Sequence, residues 1–291
     1  MQVVFHLGAH CTDEDRLVRG LQRGRVELAE VHTVAPPPAR YRAVLRETLV
    51  KLRGQPASRE IQDVILDAVM DDDRAERVIF SHEFFLCIPR RVVAEGAFYG
   101  LAGKKAAALA NLFPEAQVEF HLAMRNPATL VPALLSRLEG VGYGDFMEGM
   151  APQALRWLPV IEQIVDAVPR AKVVTWCNED TPLIWPEVLH GIAALPAEVP
   201  LAADHEIAQS IMTPEGVQRM RAYLDQHRPV SAVQRRKIVS AFLGKFGRED
   251  EIEVEVALPG WDAALIEEIT ALYDADCATI ATMPGVSFLA P

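Results

Sequence analysis

Four short segments rich in β-branched and aromatic residues recur along the chain, Val3 to Leu7, Arg77 to Ser81, Val118 to Met124 and Lys172 to Trp176, each separated from the next by helical patterning. This alternation constrains the fold most, because parallel strands need a long crossover and a helix is the usual one. Asp15 to Arg23, Tyr41 to Arg53 and Ser58 to Met70 are predicted helices between the first two strands, and in the last of them Ile61, Val64, Ile65 and Ala68 repeat at helical spacing. Residues 99–113, 128–139 and 155–168 continue the pattern, with Pro114 and Pro169 closing two of these helices before a strand. The expectation is an α/β three-layer sandwich around a mostly parallel sheet of about four or five strands. From about residue 203 the strands largely stop, and Pro214 to Gln226, Val230 to Phe246 and Ala263 to Met283 read as helices. The chain therefore divides into an α/β core over 1–202 and a helical C-terminal extension over 203–291, packed on the same domain because its apolar stripes need cover. The acidic stretch Arg248 to Val256 reads as a solvated loop.

Half of the 291 residues are apolar, enough for a sizeable core, and the formal net charge is −11. That balance argues against non-specific binding to nucleic acid or to an anionic membrane. No apolar run approaches the roughly 20 residues that span a bilayer, and Met1-Gln2 leads straight into a strand, so a cytoplasmic protein without membrane or nucleic-acid partners is expected. Cys11, Cys87, Cys177 and Cys277 form no Cys-x-x-Cys pair, which leaves reduced thiols as the default. Oligomeric state is not legible.

Ligands of open parallel sheets bind beyond the carboxyl ends of the strands. Four polar clusters stand there: Gly8-Ala9-His10-Cys11-Thr12, Ser81-His82-Glu83, Arg125-Asn126-Pro127 and Cys177-Asn178-Glu179-Asp180. A strand, a glycine and a helix start normally form an anion cradle from free N–H groups and the helix dipole. Here the turn runs on into Asp13-Glu14-Asp15. Thr12 to Asp15 fits a capping box, with Thr12 capping and Asp15 reaching back. Two sharper readings stay open: His10, Cys11 and an acid, with His82 or Glu83, around a divalent metal, or Cys11 as a nucleophile beside His10. No two of these residues share a local ligand spacing, and no metal is expected.

The order of motifs over most of residues 1–200 resembles the bacterial P-loop sulfotransferases, which use 3′-phosphoadenosine 5′-phosphosulfate (PAPS). His6-Leu7-Gly8-Ala9-His10-Cys11-Thr12-Asp13-Glu14-Asp15 stands where the family has a His-Ile-Gly-x-x-Lys-Thr-Gly-Thr-Thr-like loop. Ser81-His82-Glu83 matches a Ser-x-Glu strand end, Phe120 to Pro127 resembles the strand and arginine of the third motif, and Val174 to Asp180 resembles a later strand. The resemblance implies a P-loop NTPase or sulfotransferase-like fold. It also implies a nucleotide site over Gly8, Ala9, His10, Cys11 and Thr12, with Arg125 on the donor's 3′-phosphate. The departures are specific: Cys11 replaces the loop lysine, Glu14 and Asp15 replace the paired threonines, and the helix serine position holds Ala133, with Ser136 one turn later. A carboxylate about 5 Å from a phosphate charge costs on the order of 3 kcal/mol at an effective dielectric near 20.

His82 and Glu83 are the general-base candidates for an acceptor hydroxyl, against a plain role as strand-end polar groups. Arg125, ending an apolar strand, must meet an anion or pair with an acid such as Glu179 or Asp180. Arg40-Tyr41-Arg42 with Arg46, and Arg235-Arg236-Lys237, read either as solvated helix faces or as grips on an anionic ligand. Trp176 and Trp185 read as core residues. Two functions follow: transfer of a sulfuryl group from PAPS to a carbohydrate or other small-molecule acceptor, or a catalytically inactive binding protein on the same scaffold.

Overall fold

A computed structural model describes residues 1–70, 75–252 and 256–291. Among the described residues there are eight strands: β1 (Gln2–His6), β2 (Thr33–Val34), β3 (Arg77–Ser81), β4 (Val93–Ala94), β5 (Ala97–Phe98), β6 (Gln117–Met124), β7 (Lys172–Cys177) and β8 (Val286–Leu289). Six of them make one sheet in the order β2-β3-β1-β6-β7-β8, and every pairing in it is parallel. The other two form an antiparallel hairpin whose turn residues, Glu95 and Gly96, both have positive φ, the backbone that a two-residue hairpin loop demands.

The sheet is larger than the sequence pattern indicated. Two-residue β2 carries almost no pattern, and β8 comes from the region read as helical, docking beside β7 through Val173↔Val286 to Trp176↔Leu289. The stretch after β7 is also helical, Thr181–Ala193, despite Pro182 in its first turn and Pro186 inside it. The acidic segment begins as a short helix, Glu249–Ile252, rather than a loop; residues 253–255 lie outside the described residues.

Helices cover both faces. One face presents Val3, Phe5, Val78, Phe80, Phe120 and Leu122 to helices Pro38–Leu52, Arg59–Val69, Ala102–Ala110, Pro127–Arg137, Trp157–Ala167 and Ala263–Ile280. Phe5 stacks between Phe80 and Phe120 at centroid distances of 5.6 and 6.0 Å, and each buried ring contributes about 1.5–3 kcal/mol. The opposite face packs Val4, Ile79, Ala123 and Trp176 against helices Arg16–Arg23, Arg25–Glu30 and Thr181–Ala193. In helix Arg59–Val69 the buried stripe runs through Ile65 and Val69, while Val64, expected on that stripe, is 62% exposed. Ile61, Ile65 and Ala68 of the predicted stripe do pack on the core, so only Val64 departs from it, and Val69 extends it.

A polar layer crosses the second face. Arg77 is nearly fully buried, binds the Glu119 carboxylate through both terminal nitrogens at 3.1 and 2.7 Å, and donates from Nε to the Ile192 carbonyl at 2.8 Å. It thereby places positive charge at the C-terminal end of helix Thr181–Ala193, where the dipole favours a cation. His121 Nε2 completes the group 3.1 Å from Glu119. Burial works to raise the Glu119 carboxyl, but hydrogen bonds from His121 and Arg77 outweigh it and hold it below the usual range.

Candidate functional site

From β1 the chain goes out to β2 and back to β3 on one side of it and then to β6 on the other, so the ends of β1, β3 and β6 border the point where the strand order reverses. Three of the sequence-selected clusters meet there. Gly8 has φ +68°, and a Cβ on it would stand 2.8 Å from the Cα of Glu83. The loops after β1 and β3 thus touch backbone to backbone, which only glycine permits. Cys11, Glu14 and Asp15 also adopt positive φ.

The turn is closed by its own side chains. Thr12 Oγ1 donates to the Ala9 carbonyl at 2.8 Å, and Asp13, not Thr12 or Asp15, accepts the Leu17 N–H of the first helical turn at 3.0 Å. The expected capping box is absent because Asp15, in the left-handed region, turns away to Arg42, which grips its carboxylate at 3.0 and 2.5 Å and also donates to the Ser81 carbonyl. Glu14 pairs with Arg137, which also reaches Glu83 at 3.3 Å. His10 is buried, with Nδ1 2.8 Å from the Tyr99 hydroxyl, which also accepts the His10 backbone N–H at 3.3 Å.

Arg125 meets neither Glu179 nor Asp180. Its Nη1 donates to the Cys11 carbonyl at 2.5 Å and its Nε to Thr129 Oγ1 at 3.0 Å. Its own carbonyl accepts from Trp157 Nε1 at 2.8 Å. Glu179 instead accepts the Asn126 N–H at 2.9 Å and the Tyr273 hydroxyl at 2.9 Å, tying the ends of β6 and β7 to helix Ala263–Ile280. Ser136 is exposed, with its hydroxyl on the Ala133 carbonyl one turn back.

Burial sets the proton affinities. It depresses His10 to about 4 against the opposing pull of the Cys87 carbonyl, and depresses His82 to about 4 with help from Arg42. Both imidazoles are neutral near pH 7. Burial raises the Cys11 thiol against the pull of Arg137 and Arg125, which disfavours a thiolate nucleophile. It also raises Glu83. For Asp15 burial acts upward, but the Arg42 hydrogen bonds prevail and lower it. Among the described residues no three His, Cys, Asp or Glu side chains are placed to share a metal ion.

The remaining basic run resolves differently: Arg235 and Arg236 both pair with Glu187 and fasten helix Ala232–Phe246 to helix Thr181–Ala193. Trp176 and Trp185 are buried. Sequence reasoning missed Tyr99 and Arg137, which lie far along the chain from the loop they hold and carry no local motif. No helix among the described residues is long and apolar enough to cross a membrane. No family model, curated protein or solved structure matches the chain.

Proposed function

We propose that this chain is a binding protein on a sulfotransferase-like scaffold of the P-loop type, in which the turn after β1 is a self-neutralised structural element and not a donor cradle. One observation carries the reading: the Arg125 guanidinium, which the resemblance assigns to a donor phosphate, sits on the Cys11 carbonyl of the loop itself. The acids of the turn have internal partners in Arg42, Arg137 and the Leu17 N–H. An entering phosphate would have to break these contacts and then face the released carboxylates, each costing on the order of 3 kcal/mol at about 5 Å. The test is thermal stability against adenosine 3′,5′-bisphosphate. No shift at millimolar ligand is expected, whereas saturable stabilisation lost in Arg125→Ala overturns the proposal.

A second reading, PAPS-dependent transfer to a hydroxyl of a carbohydrate or small acceptor, draws support from the position of His82, a neutral imidazole at the end of β3, although its depression to about 4 makes it a weak base near pH 7. Under it, Glu83, whose carboxyl burial raises, is the other base candidate, with its carboxylate engaged by Arg137.

A further inference from the structure

His82 and Arg42 also form part of the wall of a separate cleft. Between helices Pro38–Leu52 and Ala102–Ala110, segment 82–88 borders a cavity of about 750 Å³, inside the range of about 300–1,000 Å³ typical of small-molecule sites. Its lining is apolar where it is deepest: Leu45, Phe85 and Leu109 are buried, and Leu49 is half-buried. Burial pushes the Cys87 thiol in this wall up to about 12, so it is uncharged and adds to the apolar lining. The rim has the opposite character.

Arg46, Arg53, Lys104 and Lys105 line the cleft together with Arg42, and among the described residues no aspartate or glutamate does. Arg42 is engaged by Asp15. Among the described residues the other four have no side-chain ion-pair or hydrogen-bond partner. In a chain of net charge −11, four unpaired cations around one mouth reverse the local field and draw anions to it. Phe84, Ile88 and Leu101 add exposed apolar surface beside those cations, at 39%, 54% and 39% exposure. An apolar interior with a cationic rim is complementary to a molecule with the matching division.

We propose that this cleft binds a small amphipathic anion, its apolar body on Leu45, Leu49, Phe85 and Leu109 and its carboxylate, sulfate or phosphate head at Arg46, Arg53, Lys104 and Lys105. This deepens the binding-protein reading by naming its ligand class, and it stands apart from the loop after β1, so the bisphosphate experiment can fail or succeed without deciding it.

The experiment is isothermal titration of the full chain with octyl phosphate, octyl sulfate and octanoate, beside octanol and inorganic phosphate. At least one of the three amphipathic anions binds saturably, at least tenfold more tightly than octanol or inorganic phosphate, and their ranking identifies the head group. The exposed double reversal Arg46→Glu with Lys105→Glu weakens that binding at least tenfold while far-ultraviolet circular dichroism is unchanged. If the reversal perturbs folding, the neutral pair Arg53→Gln with Lys104→Gln is titrated instead, with at least a threefold loss expected. Octanol binding as well as the anions, folded variants binding like the parent, or capture by phosphatidylserine vesicles with no response to any of the three soluble anions would each overturn the proposal.

Discussion

Gly8 and Glu83 approach so closely that a single added carbon on Gly8 would lie 2.8 Å from the Glu83 Cα. With φ at +68°, Gly8→Ala meets two costs, a left-handed backbone and a collision with main chain that cannot rotate away. The backbone term alone is about 1–3 kcal/mol. Urea denaturation should show at least that loss, and a variant as stable as the parent would mean that the two loops are not in contact.

Arg77 and Glu119 form a buried pair, and removing one partner strands the other. Arg77→Met is expected to cost about 3–5 kcal/mol, while Arg77→Met combined with Glu119→Leu should recover most of it, since a buried pair exchanged for apolar groups is often neutral. Equal losses in the single and double variants would place the cost in the cap on helix Thr181–Ala193 instead.

Acid stability follows from the histidines. Burial lowers His10, His82 and His121 to about 4, and lowers His6 as well, whereas the unfolded value is near 6.5. Between about pH 4 and 6.5 the unfolded chain therefore binds more protons, so stability falls as pH drops through that window, by up to about 1.4 kcal/mol per pH unit for each imidazole. His190 is the exception: burial acts downward but hydrogen bonding to Asp204 raises it, so its contribution is present at low pH and lost as pH rises through its folded value. The lowered groups are the majority, and the urea midpoint should be lower at pH 5 than at pH 7.5. An equal or higher midpoint at pH 5 would show that these rings are solvated.

Cys177 at the end of β7 and Cys277 on helix Ala263–Ile280 are both free, with their sulfurs 3.4 Å apart. Hydrogen bonding between the two sulfurs lowers the Cys177 thiol, which makes it the better nucleophile of the two. Hydrogen peroxide should convert Cys177 to a sulfenic acid with release of one water, and attack by Cys277 should then release a second water and leave a disulfide. Peptide mapping should find this crosslink and not one involving Cys11 or Cys87, whose thiols burial raises. Because 100 residues separate the pair, chain entropy sets the gain at up to about 4.7 kcal/mol. No crosslink, or one that lowers stability, would contradict the geometry.

What could be read beforehand followed local chemistry. Val3 to Leu7 and Val118 to Met124 announce buried parallel strands because they are dense in β-branched, aromatic and other apolar residues, with only His6, Glu119 and His121 interrupting them. Val286–Leu289 does not, since an edge strand with exposed Ser287 and half-buried neighbours carries little pattern. Pro182 and Pro186 conceal helix Thr181–Ala193, although proline is well tolerated in the first turn, where Pro182 stands, and Pro186 is held by packing around Trp185. The polar strand ends were visible as residues but not as partnerships. That Asp15 belongs to Arg42, and Glu14 to Arg137, depends on tertiary approach, which capping rules do not contain. The cleft was hidden for the same reason: Arg46 and Lys105 lie on different helices, and only folding brings them to one rim.

The pairing of β7 with β8 has a temporal meaning. As the chain leaves the ribosome, the edge of β7 emerges long before Val286, so the growing molecule carries an open row of amides and carbonyls through most of the later synthesis. During that interval any extended segment, including one from a neighbouring nascent chain, competes for the place β8 finally takes.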